Sequence, residues 1–130
     1  MPLVHHELCF GCGRTNLFGL LLEAEHSGSD AVAGRCFVKQ DHQGARHGTA
    51  HEGIPATALI EAMALACGRN VRLERLELNL GRDVPVGEFL EVEASVHDRG
   101  ADELHVAARV KTGADYVGSA SGSFRVWPTA

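Results

Sequence analysis

Apolar and polar positions alternate along most of this chain, and the alternation gives way to a helical pattern only once. Leu20, Leu22 and Ala24 fall on one face of a strand expected over residues 19–25. Residues 26–30, HSGSD, have the composition of a turn. Residues 31–38, rich in small and β-branched side chains, predict a second strand. A loop dense in glycine and histidine, DHQGARHGTAHEG, follows over residues 41–53. Residues 54–67, IPATALIEAMALAC, break the two-residue period. Ala, Leu and Met are strong helix formers, Pro55 suits a first helical turn, and Gly68 is a stop signal. Thr57 and Glu61 are the only polar side chains in it. A helix apolar on nearly every side must be buried on nearly every side.

Four more strand patterns follow. Over residues 71–80 the apolar phase slips from odd (Val71, Leu73) to even (Leu76, Leu78, Leu80), which predicts a β-bulge near Glu74 and Arg75. Leu90, Val92, Ala94 and Val96 alternate with polar neighbours, as do Leu104, Val106, Ala108 and Val110. The last strand is expected over residues 116–127, with Phe124 and Val126 on one face. Turn signals sit at Arg99-Gly100 and Thr112-Gly113. Two strands, one apolar helix and four strands on short turns describe an α+β chain, with an antiparallel sheet of about six strands curled round the helix.

Composition narrows the function classes. The chain has 130 residues, enough for one domain with a real core, and no composition break marks a linker. Its formal net charge of -5 argues against nucleic acid as the main partner, because phosphate neutralisation needs surplus Lys and Arg. No apolar run approaches the roughly 20 residues that span a bilayer, so no membrane association is expected. The start, MPLVHHELCFG, lacks the basic and apolar regions of a signal peptide, and a cytoplasmic location is the expectation. Cys36 and Cys67 lie in apolar stretches and read as small buried hydrophobes. Cys9 and Cys12, with His5 and His6, have the residue types of a zinc site, but no second CxxC or distal ligand pair accompanies them, and no metal site is expected.

Three segments resemble the PaaI-like branch of the hotdog thioesterase superfamily. CFGCGRTNLFGL over residues 9–20 is similar to its amino-terminal CxxCGxxNxxGL segment. HQG at residues 42–44, followed by HEGIPATALIEAMA over residues 51–64, resembles its HGG loop and the ATLLDEAMA helix. DVPVGEFLEVEASV over residues 83–96 resembles the strand-turn-strand beyond. The resemblance spans almost the whole chain and implies a single hotdog domain over residues 1–130. It also implies an acyl-CoA thioesterase that works between subunits, as a homodimer or a dimer of dimers. The substrate would be an acyl-CoA or acyl-carrier thioester, with CoA entering only as part of it and no separate cofactor.

The chemistry is reasonable on these residues. Backbone N–H groups at Gly53 and Ile54, at the start of a helix, suit the oxygen of a thioester carbonyl that gains negative charge on attack. A carboxylate must then activate water or attack directly. In the family that carboxylate falls at the position of Ile60, and here Glu61, the next residue, is the remaining candidate base. Thr57, one turn earlier, is positioned to orient it. Asn16 is a polar contact by resemblance. His51, His47 and His42 are candidate catalytic or substrate-binding groups of the loop. Glu52 replaces the middle glycine of the HGG and sits beside the donors, where a fixed negative charge opposes an oxyanion. Arg69, Arg72 and Arg82 are candidates for CoA phosphates. Two other readings share the pattern. One is a thioester-binding protein without turnover, which Ile60 favours. The other is a hotdog hydratase or dehydratase, suggested by the spacing of His47, Pro55 and Glu61, although its HFPG-type loop is absent.

Overall fold

In the computed structural model, which describes residues 1–128, the elements run β1 (Glu23–Gly28), β2 (Ala31–Phe37), η1 (Gln40–His42), α1 (Gly53–Cys67), β3 (Val71–Leu80), β4 (Phe89–Arg99), β5 (Glu103–Thr112) and β6 (Asp115–Val126). The six strands form one antiparallel sheet in the order β1-β2-β4-β5-β6-β3. The sheet curls round α1, which packs chiefly on β4 and β5. Ala58, Leu59, Ala62 and Met63 of the helix are fully buried against the alternating inward side chains Leu90, Val92, Leu104, Val106 and Val110. The α+β architecture expected from the pattern is therefore present, and the helix is buried for the reason its sequence gives: it has almost no polar face to offer water.

The first strand departs from expectation. Leu20, Leu22 and Ala24 are all buried, as their alternation requires, but regular pairing begins only at Glu23. Leu21 has a φ of 55°, which interrupts the extended backbone. The amides of Leu20 and Leu22 instead donate to the carbonyls of Phe10 and Gly11 in the amino-terminal segment. Past the expected end, β1 runs through His26 to Gly28, into the stretch read as a turn, because its backbone pairs with Ala31 and Val32 of β2. The bulge in β3 falls at the expected place. Leu73 lies opposite Phe124 and Arg75 opposite Ser123, so Glu74 is the extra residue, and the apolar phase changes across it.

Gly68 closes α1 in the left-handed conformation (φ 70°), its N–H bonded to the Leu65 carbonyl. A β-carbon there would meet no neighbour, so its cost is conformational alone. Gly68→Ala is expected to lower unfolding stability by about 1 kcal/mol. A urea midpoint unchanged from the parent would show that the cap does not need a left-handed residue.

Candidate active site at the helix amino terminus

The histidine- and glycine-rich segment between η1 and α1 is a hydrogen-bonded hairpin rather than an open loop. Gly44 N–H bonds to the Thr49 carbonyl, and His51 N–H to the His42 carbonyl. Ala50 N–H then ties it to Val84, and an Arg46–Asp83 ion pair of 2.7 Å ties its tip to the same strand connection. This hairpin delivers His51, Glu52 and Gly53 to the first turn of the helix. His47 stands exposed at its tip.

The two expected donors are engaged from within. Gly53 N–H donates to His51 Nδ1 at 2.8 Å, and Ile54 N–H donates to the His51 carbonyl at 2.8 Å. The His51 ring is exposed, so its rotation frees Gly53 N–H without disturbing the core, whereas the Ile54 bond belongs to the backbone turn. Glu52 precedes them, exposed, with no capping bond from its side chain and, among the described residues, no ion pair. It borders a cleft of about 510 Å³ together with Ala50, Pro55, Leu80, Arg82 and Asp83. Arg82 lies 3.5 Å from Asp115 on the surface there, whereas Arg72 pairs with Glu74 and packs over Trp127. A depression of similar size, about 540 Å³, crosses the outer face of the sheet at Glu93, Ser95, Arg109 and Ser119 and has no counterpart in the motifs.

Along α1 only Gly53, Ala56, Thr57, Ile60 and Ala64 remain half-open, and they form one stripe at helical spacing. Ile60 is on that stripe and Glu61 is not. The Glu61 carboxylate turns towards the amino-terminal segment, where His5 Nδ1 lies 2.8 Å from Oε2 and the Cys9 thiol 3.3 Å. Gly11 crosses directly over it: a β-carbon at Gly11 would fall 2.3 Å from Glu61 Cδ. Burial pushes the Glu61 pKa up, but the His5 hydrogen bond leads the opposing interactions and the net shift is downward. The same bond raises His5 to about 9, so the two form an ion pair at neutral pH. Thr57 does not reach Glu61 with its hydroxyl, which bonds to the Gly53 carbonyl of its own helix at 2.6 Å.

Two further expected residues have local partners. Asn16 is half-buried, donates to the Leu8 carbonyl at 3.0 Å and accepts from Phe18 N–H at 3.2 Å, so both ends of its amide hold the turn it sits in. His42 is buried, its Nδ1 accepting from Lys39 N–H, while Nε2 has no partner among the described residues. Burial, with Lys39 adding, holds its pKa below the ordinary value. The structure thus brings His51, Glu52, Gly53 and Ile54 together and separates them from Glu61. Sequence spacing showed His5, Cys9 and Cys12 as a group, but not that Glu61, 49 residues beyond Cys12, completes it.

No protein-family model matches this chain, and no curated protein matches it in sequence. Solved structures match it closely in shape. Protein PH1136 from Pyrococcus horikoshii superposes with a TM-score of 0.80 at 16% identity, over 99% of this chain and 96% of that one. This is a hotdog fold. The other structural neighbours of this hotdog chain include PaaI-like proteins of the thioesterase superfamily. A phenylacetic acid degradation protein PaaI from Thermus thermophilus, solved as a mutant, superposes with a TM-score of 0.74 at 20% identity over 82% of this chain and 93% of that one. The zebra fish thioesterase superfamily member 2 gives 0.73 at 17% identity over 82% and 81%.

Proposed function

We propose that this hotdog protein is an acyl-CoA thioesterase that binds its thioester at the amino terminus of α1, at a boundary between two copies of the chain. The observation that carries this reading is an unpaired carboxylate, Glu52, bordering a cleft beside the first-turn amides. The resemblance of the HEGIPATALIEAMA segment and the fold shared with thioesterase-superfamily proteins support it. The thioester oxygen displaces His51 Nδ1 from Gly53 N–H, so the helix dipole and that amide face the developing charge. Glu52 takes a proton from the attacking water as the oxyanion forms. Its own charge is neutralised as the new one appears, which removes the objection to a carboxylate at this place. Arg82 is the cation at the cleft for the carrier's phosphates. The base role expected of Glu61 passes to Glu52, because Glu61 is bonded to His5 beneath the chain's own amino-terminal segment. The half-open apolar stripe from Ala56 to Ala64 offers the surface on which a second copy of the helix completes the site.

The test is an acyl-CoA panel with free-thiol and hydration readouts. Thiol release is expected, reduced about 10²-fold by Glu52→Gln and little changed by Glu61→Gln in folded protein. The reverse order of sensitivity would return the base role to Glu61. Ile60, apolar at the position where the resemblance implies a carboxylate, favours one second reading, a thioester-binding protein without turnover. Tight acyl-CoA binding with no thiol released would establish that reading. Hydration of an enoyl thioester would replace both, and the absence of any binding would remove the site.

A further inference from the structure

The strongest unassigned feature lies at the other side of α1. His5, Cys9, Cys12 and Glu61 converge so that one ligand atom from each lies within 4.8 Å of all the others. We propose that these four side chains form a structural zinc site, which fastens the amino-terminal segment to the central helix.

Three distances within the group match the edges of a tetrahedron. With Zn–S bonds of about 2.3 Å and Zn–N and Zn–O bonds of about 2.0–2.2 Å, the edges between ligand atoms are roughly 3.3–3.8 Å. Cys9 Sγ lies 3.3 Å from Glu61 Oε2 and 3.5 Å from His5 Nδ1, and Cys12 Sγ lies 3.5 Å from the same nitrogen. The His5–Glu61 separation of 2.8 Å is a hydrogen-bond length and widens by about 0.5 Å when a cation replaces the shared proton. Two sulfurs, an imidazole and a carboxylate are a donor set suited to zinc rather than to magnesium or calcium. Four protein ligands with little exposure leave no position for substrate: Cys12 is fully buried, and the Glu61 and His5 side chains are 11% and 27% exposed. That makes the site structural rather than catalytic.

Burial and Glu61 hold Cys12 as a neutral thiol without a cation, while one backbone donor is in place for the thiolate that a cation would stabilise. His5 N–H points at Cys12 Sγ from 3.1 Å, a contact that a charged sulfur rewards far more than a neutral thiol does. The turn around the CxxC is closed by Cys9 N–H to the His6 carbonyl and Gly13 N–H to the Cys9 carbonyl. Gly11 has no side chain because the loop passes over Glu61 there, and Gly13 none because a β-carbon would fall 2.3 Å from the Glu7 carbonyl oxygen. On binding, both thiols and the His5 imidazolium release their protons to solvent, and His5 coordinates through Nδ1 with its remaining proton on Nε2. Two thiolates and one carboxylate against Zn²⁺ leave a net charge of about −1, and the metal replaces the His5 imidazolium as the positive partner of the buried carboxylate. His6, although adjacent, takes no part and accepts from Leu8 N–H instead. The site stands independently of the thioester reading.

The experiment uses the full chain, purified without added metal, chelated, and titrated with zinc and with Co²⁺. About one equivalent of zinc is expected, with Co²⁺ giving the intense visible bands and sulfur charge-transfer absorption of tetrahedral thiolate coordination. Cys9→Ser, at a half-buried position, and Cys12→Ser should each weaken zinc binding by at least about 10²-fold, on the scale of losing a ligand. Cys36→Ser, which removes a buried thiol outside the cluster, should leave it unchanged. Far-ultraviolet circular dichroism confirms which variants are folded, and the Co²⁺ spectrum of the parent needs no variant. An octahedral Co²⁺ spectrum, or zinc uptake equal in the parent and in folded Cys9→Ser, would overturn the assignment.

Discussion

In the Glu52→Gln background, Ile60→Asp is expected to restore acyl-CoA hydrolysis by about 10²-fold, the usual contribution of a positioned general base. The position is suitable because Ile60 lies on the half-open stripe of α1, so the carboxylate gains water on one side instead of entering the core. Glu61 points away from this stripe although it is the next residue. One step along a helix is a rotation of about 100°, which turns Glu61 from the open stripe to the face beneath residues 5–13. Measured with Ile60→Asn as the uncharged control, the gain should appear in kcat and be confined to the aspartate. Equal rates for aspartate, asparagine and isoleucine at this position in the Glu52→Gln background would mean that this stripe does not face the reacting carbonyl.

Phe124→Ala should cost about 3–5 kcal/mol of unfolding stability, the range for removing a buried aromatic ring. Phe124 is 1% exposed, the largest of the fully buried side chains, and sits in β6 between Leu73 of β3 and Leu104 of β5. The bulge at Glu74 follows immediately, so neighbouring side chains are fixed by the change of register and cannot all slide into the space. Urea unfolding of the parent and the variant checks this. A loss under about 1 kcal/mol would show that the sheet collapses onto the helix, with the edge strand β3 yielding.

The fold was largely legible before any coordinates. Residues 54–67 carry two polar side chains among fourteen, and that alone requires burial on most sides. The phase slip between Leu73 and Leu76 located the bulge, because a two-residue period can change face only by inserting a residue. The first strand was misplaced for an equally specific reason. The backbone of Leu20 and Leu22 finds its partners in Phe10 and Gly11, and β1 is extended by pairing with β2. Both are tertiary contacts that local alternation does not record.

The candidate site was legible by residue type and not by orientation. The spacing of His51, Glu52 and Gly53 placed these groups at a helix start, where a helix by its nature leaves N–H groups without intrahelical partners. It did not show that His51 Nδ1 occupies Gly53 N–H, since a side-chain rotamer is not written in the spacing. For Asn16, the turn-forming habit of its amide accounts for its contacts, and resemblance had suggested the substrate instead.

By itself, then, the order of side chains determined an antiparallel sheet round one helix, the bulge, and a histidine- and glycine-rich loop before the helix, whose closing into a hairpin only the structure decided. These follow from periodicity and composition, which act over a few residues. Only the tertiary structure decided what Glu61 touches. Cys12 and Glu61 are 49 residues apart in sequence, and the folding of the amino-terminal segment over α1 brings both to His5. A group assembled from distant segments has no period of its own, so the partners of a single carboxylate become known only when the chain has closed on itself.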